Sequence, residues 1–129
     1  VGDYRNGNIY SLSQTVYTDN GVAILRDRIA PAISKDGEGY ISYGMLIANF
    51  EGGVGLTSGQ GSAPVALLRY SNDGGHNWSR WIESPIGAKG EYLGRVWWSR
   101  LGSARDRQFW IRVADPVKPV LISAALEAA

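Results

Sequence analysis

The chain is predicted to be all-β, an antiparallel β-sandwich of about seven or eight short strands. Three observations support this. Segments rich in Val, Ile, Thr, Tyr and Trp recur with turn residues between them, roughly every 8 to 12 residues. Most of these segments alternate apolar and polar side chains, the two-residue period of a strand. Only Leu121 to Ala129 would pass for helix by propensity, and a strand is preferred there too. Two blades of a β-propeller are the alternative arrangement of the same strands. A chain of 129 residues fits one domain. Residues 1–30 read as a linking or edge-strand segment and 31–129 as the main body.

The first β-rich segments are Asn8 to Leu12 and Thr15 to Thr18, and Asp19-Asn-Gly21 is a strong hairpin-turn signal. Val22 to Leu25 is expected to be a strand ended by the charged Arg26-Asp-Arg28 and by Pro31. Asp36 to Gly39 marks another turn. Tyr40 to Phe50 is the longest apolar run, and Gly44 within it signals a bulge or a close backbone approach. Gly52 to Pro64 is a Gly- and Ser-rich loop. Val65 to Tyr70 and Trp78 to Glu83 flank a tight turn. Arg95 to Arg100 and Arg107 to Val113 are expected to pair as a second hairpin across Leu101–Asp106. Asp115-Pro116 then breaks the chain before a last strand near Val120 to Ala125.

The most informative stretch is Ser71-Asn-Asp-Gly-Gly-His-Asn-Trp78, which fits Ser-x-Asp-x-Gly-x-x-Trp and resembles the Asp-box of sialidases and other β-propeller proteins. Asp73 is placed to accept backbone N–H groups of its own turn, and Gly74 and Gly75 supply positive φ. Trp78 is placed to fold over the turn as an apolar lid. Ser71, Asp73, Gly75 and Trp78 are therefore read as a structural turn with no chemistry of their own.

Composition limits the function classes. There are no cysteines, which excludes disulfides and thiolate metal sites. His76 is the single histidine and lies in a tight turn, so no histidine metal cluster can form and any triad would depend on it. Asp36 and Glu38 form the closest carboxylate pair, in a glycine-flanked turn where solvation is expected. Gly52 to Gly61 lacks the Lys-Ser or Lys-Thr of a phosphate-binding loop. Sialidase chemistry would need several arginines and a nucleophilic Tyr gathered from many blades. The chain is read as non-catalytic, with no cofactor and no metal. No apolar run approaches the ~20 residues of a membrane-spanning helix, and no membrane partner is expected. The opening Val1-Gly-Asp-Tyr-Arg has no leader pattern, and the missing initial Met suggests a processed chain or an excised domain.

Of the thirteen basic residues ten are Arg, and most lie beyond residue 68. Alternation sharpens this. Phe109, Ile111 and Val113 share one strand face, while Gln108, Trp110 and Arg112 share the other. In the partner strand Val96 and Trp98 match the core face. The outer face of the expected hairpin would then gather Arg95, Trp97, Trp110 and Arg112, the composition of an interface hot spot. Burial of the tryptophans under a second sheet is the competing expectation.

From Asn6 onward the chain resembles the C-terminal part of the phage stabilisation family, the packaged-DNA stabilisation or tail hub (nozzle) proteins of P22-like short-tailed phages. The resemblance rests on Asn6 to Tyr10, Tyr17 to Gly21, Glu51 to Gly55, Leu68 to Gly75, Gly90 to Tyr92, Trp98 to Gly102, Ala104 to Arg107 and Asp115 to Lys118. It implies a structural protein of the virion tail, assembled in the bacterial host cytoplasm. Copies would form a homo-oligomeric ring around the DNA channel, between portal- or adaptor-side and needle- or spike-side subunits. They would retain packaged DNA without reading its sequence. Family members are much longer and carry a β-propeller before this region, so the chain is expected to be an excised C-terminal domain or a small tail protein that kept only this module. A carbohydrate-binding β-module using exposed Trp and Arg is the rival reading.

Overall fold

The computed structural model describes residues 1–36, 39–51, 55, 59–87 and 95–129. The chain forms β1 (Thr18–Asp19), β2 (Val22–Ala23), β3 (Arg26–Ile29), β4 (Ile33–Ser34), β5 (Ile41–Phe50), β6 (Val65–Ser71), β7 (Ile82–Pro85), β8 (Val96–Ser99), β9 (Ser103–Ala104), β10 (Asp106–Val113) and β11 (Leu121–Ala128). No helix occurs among the described residues. One sheet has the order β3-β10-β6-β7, with β4 also on β10; the other has the order β11-β5-β8, with β9 also on β5. All pairings are antiparallel.

The two sheets close face to face on one core. Tyr43, Leu46 and Ala48 of β5 and Val96 and Trp98 of β8 meet Ala66 and Leu68 of β6 and Phe109, Ile111 and Val113 of β10. The rings of Tyr43 and Phe109 cross edge to face, 5.7 Å between centroids. Trp98 donates its indole N–H across the sandwich to the Ile82 carbonyl at 2.9 Å. The fold is thus a β-sandwich, and its shared core sets aside the propeller-blade alternative.

Several strands are long but interrupted. Around Pro31, β3 and β4 are two stretches of one edge along β10, since proline cannot donate to the ladder. Likewise β8 and β9 run along β5 with a break at Arg100–Gly102, where Arg100 takes φ 56°. Gly44 is the bulge residue on β5: Tyr43 pairs with Ala128 and Met45 with Glu127, leaving Gly44 between them without a partner on β11.

Four expectations are corrected. Arg95–Arg100 and Arg107–Val113 do not form a hairpin. β8 and β9 pair with β5, Arg105 alone carries the chain across to the other sheet, and β10 pairs with β6, β3 and β4. Alternation could not separate these outcomes, because strands facing each other across a sandwich and strands paired in one sheet both bury alternate residues. Second, the charged Arg26-Asp-Arg28 forms β3 instead of ending a strand, since Arg112 on β10 supplies Asp27 with a partner. Third, the Asn8–Leu12 and Thr15–Thr18 segments contribute only a bridge between Gly2 and Ile9 and the start of β1. Among the described residues no larger sheet lies beside them to take up their backbone groups. Fourth, the strand after the tight turn runs Ile82–Pro85 rather than Trp78–Glu83. The Asn20-Gly21 turn has φ values of 49° and 82°, the left-handed pair that a two-residue hairpin requires.

Candidate interaction surfaces

The Ser71–Trp78 turn closes on its own side chains. Ser71, almost fully buried, donates its hydroxyl to Asp73 Oδ1 at 2.7 Å and accepts the Gly75 N–H at 3.0 Å. Asp73 takes the Asn77 N–H on Oδ1 at 2.9 Å and the Asn77 amide on Oδ2 at 2.7 Å. These donors, the Asn77 backbone first and the Ser71 hydroxyl next, hold the Asp73 carboxyl well below the usual carboxylate range. Gly74 and Gly75 take φ of 74° and 93°. Trp78 lies over the turn and donates its indole N–H to the Gly75 carbonyl at 3.0 Å. His76 stands exposed at the tip. Glu38 of the Asp36–Glu38 pair and much of the Gly52–Gly61 loop lie outside the described residues.

Trp110 and Arg112 point outward from β10 and become part of a larger cluster. Register places Arg69 of β6 directly opposite Trp110, and Asp27 of β3 directly opposite Arg112. Cross-strand neighbours of this kind are close enough to interact. Arg69 lies over three indoles, 3.8 Å from the Trp110 centroid, 4.3 Å from Trp81 and 5.3 Å from Trp78. Trp78 and Trp81 meet Trp110 edge to face at 5.1 and 5.5 Å. Arg112 lies over Trp81 and grips Asp27 through two bonds of 2.6 and 3.1 Å. Trp110 donates its indole N–H to the same carboxylate at 2.9 Å. The Arg112 bond, joined by that of Trp110, lowers the Asp27 carboxyl, and Asp27 in turn raises Arg112. The result is a ladder of alternating planar rings and guanidinium groups, half-buried by its own members.

Trp97 and Arg95 lie elsewhere. β8 belongs to the other sheet, so these two residues face out from the opposite side of the sandwich. There Trp97 pairs across to Ile47 and is 54% exposed, the most open of the five tryptophans. With Met45, Ile47 and Arg95 it lines a shallow depression of about 180 Å³. The four residues expected on one face thus form two separate pairs.

Sequence reasoning did not anticipate Asp27, Arg69 and Trp81 as members of the ladder. A signal existed: in Val65 to Tyr70 the alternation buries Ala66 and Leu68 and turns Arg69 outward. What was lacking was the neighbour of β10. Arg107 was also missed. It is 2% exposed, inside the core, with its guanidinium 4.1 Å from the Tyr70 ring and 4.6 Å from Tyr43. It donates to Asn72 Oδ1 at 2.8 Å and to the Leu101 carbonyl. Burial lowers its pKa, yet an arginine stays charged.

The ladder offers stacked aromatic and cationic surface. The family described as Bacteriophage P22 Gp10, beta-sandwich matches residues 29–129, more than three quarters of the chain. No curated protein matches it. The described part of this match includes both sheets, the core and both tryptophan faces except for the three residues Arg26–Arg28 of β3. The chain therefore belongs to the bacteriophage P22 Gp10 β-sandwich family and is a domain of a phage structural protein, a component of the virion.

Proposed function

We propose that this sandwich is a non-enzymatic docking domain of a tail hub, packed against neighbouring tail subunits around the DNA channel, where it helps retain the packaged genome. The observation that carries the reading is the Trp97 face. A tryptophan 54% exposed, beside Met45, Ile47 and Arg95, has the composition of an interface anchor that a partner would cover. Its partners are the portal- or adaptor-side and needle- or spike-side tail proteins and further copies of the chain. Assembly takes place in the host cytoplasm, and DNA in the lumen is held by the ring without base recognition.

The test is complementation of a tail-defective phage with the protein carrying Trp97→Ala. The purified variant is expected to melt within about 2 °C of the unmodified protein, since surface substitutions rarely exceed ~0.5 kcal/mol. Particles made with it are expected to lack the protein and to lose DNA after packaging. Particles that incorporate the variant fully and keep their DNA would sink the reading. The sugar-stacking alternative draws on the same exposed Trp97 beside Arg95 and predicts a change in tryptophan fluorescence on titration with host surface polysaccharide.

A further inference from the structure

The two long sides of the sandwich differ. On one, β7 and β8 meet: the Trp97 N–H reaches the buried Ser84 hydroxyl at 3.3 Å, and the Trp98 indole reaches Ile82. On the other, β3 and β11 are edge strands of their sheets, and nothing among the described residues pairs with their outer sides. Between them lies a largely apolar groove of about 600 Å³, walled by Ile33, Phe109 and Ile111 from one sheet and Leu46, Leu121 and Leu126 from the other, with Arg28 of β3 also in its lining. Ile122, 69% exposed, stands at its rim. An open, eight-residue edge without Pro or Lys is the kind of edge that other strands pair with.

The same chain holds a segment suited to that edge. Residues 6–17 carry no charged side chain. Within them Ser11 to Tyr17 forms no strand, and Leu12 and Val16 are 87% and 57% exposed. In extended conformation Leu12, Gln14 and Val16 share one face, and the seven residues would span about 23 Å, close to the length of β11. None of these residues lines the groove of its own chain. The β1–β2 hairpin separates them in sequence from β3, the groove's own wall.

We propose that Ser11–Tyr17 of one copy adds as a strand to the β11 edge of a second copy, seating Leu12 and Val16 in the groove between β3 and β11. Giving and receiving surfaces differ, so the contact is head-to-tail and leads to a ring or an open chain. Backbone bonds to β11 supply affinity, and the two apolar side chains set the register. The proposal uses neither tryptophan face, so its failure would leave the docking reading untouched.

The absence of cysteine makes the test clean. Leu12→Cys chains are mixed with Ala124→Cys chains and oxidised, then resolved by mass. The expected product is a disulfide dimer holding one of each, in at least tenfold excess over dimers from either variant alone. Failure to form it would overturn the proposal. So would a double variant, Leu12→Cys with Ala124→Cys, that closes within one chain at a rate independent of concentration. Light scattering on Leu12→Asp/Val16→Asp gives the second readout. Its melting temperature should match that of the unmodified chain while its mass falls to the monomer's. An unchanged mass, or an unmodified chain that is already monomeric at millimolar concentration, would refute the exchange.

Discussion

The two outer faces of this sandwich have the same composition and opposite character. Each presents tryptophan beside arginine. On the β3–β10–β6 face the carboxylate of Asp27 takes both Arg112 and the Trp110 indole, and Arg69 is covered by three rings, its buried Nε finding no hydrogen-bond acceptor among the described residues. On the β5–β8 face, among the described residues, Met45, Ile47 and Arg95 surround the depression at Trp97, which stays half in solvent. Trp with Arg in a sequence is therefore not a sign of a binding surface. What distinguishes the faces is how far neighbours within the chain cover the tryptophans.

That contrast can be broken or sharpened by substitution. The largest effect is expected at Trp98, the inward neighbour of Trp97, which is 3% exposed. Trp98→Ala should cost about 3–5 kcal/mol, measured by denaturant unfolding. Trp110→Ala should cost about 2–3 kcal/mol because it removes two edge-to-face contacts and the Asp27 bond together. A loss below about 0.5 kcal/mol would show that the ladder is ornamental to folding and reopen it as a binding face. Asp27→Asn should cost about 1 kcal/mol at neutral pH. Its carboxyl is lowered in the folded chain, so its contribution is full above the unfolded value of ~4 and fades as pH falls through the folded one. The difference in stability between the unmodified chain and Asp27→Asn should therefore shrink on acidification below pH ~4; a difference flat across that range would mean the pair does not stabilise the fold. Trp97→Ala should be the smallest, under about 0.5 kcal/mol, with its effect confined to assembly.

Much of the fold was legible because burial and periodicity are local. Val96 and Trp98 inward with Trp97 outward, the Gly44 bulge, the Asn20-Gly21 turn and the final strand all follow from side-chain alternation or backbone freedom. Which strand lies beside which is set by distant parts of the chain. β8 and β10 are separated by six residues in sequence and join different sheets because Arg105 turns the corner between them. No periodicity marks that crossing. The ladder was half legible for the same reason: Trp110 and Arg112 follow from alternation, whereas Asp27 and Arg69 enter only through register. Arg107 ran against expectation altogether, since arginine at a core-facing position is normally excluded by the cost of dehydrating it.

Arg107 has a consequence for the order in which this chain assembles. Its charge cannot be shed, so the end of the core near Tyr43 and Tyr70 cannot dry out around it until acceptors are in place. Those acceptors are the Asn72 amide, at the start of the Ser71–Trp78 turn, and the Leu101 carbonyl, at the break between β8 and β9. Both sites are loops. Closing this end of the core therefore depends on segments that lie outside the strands.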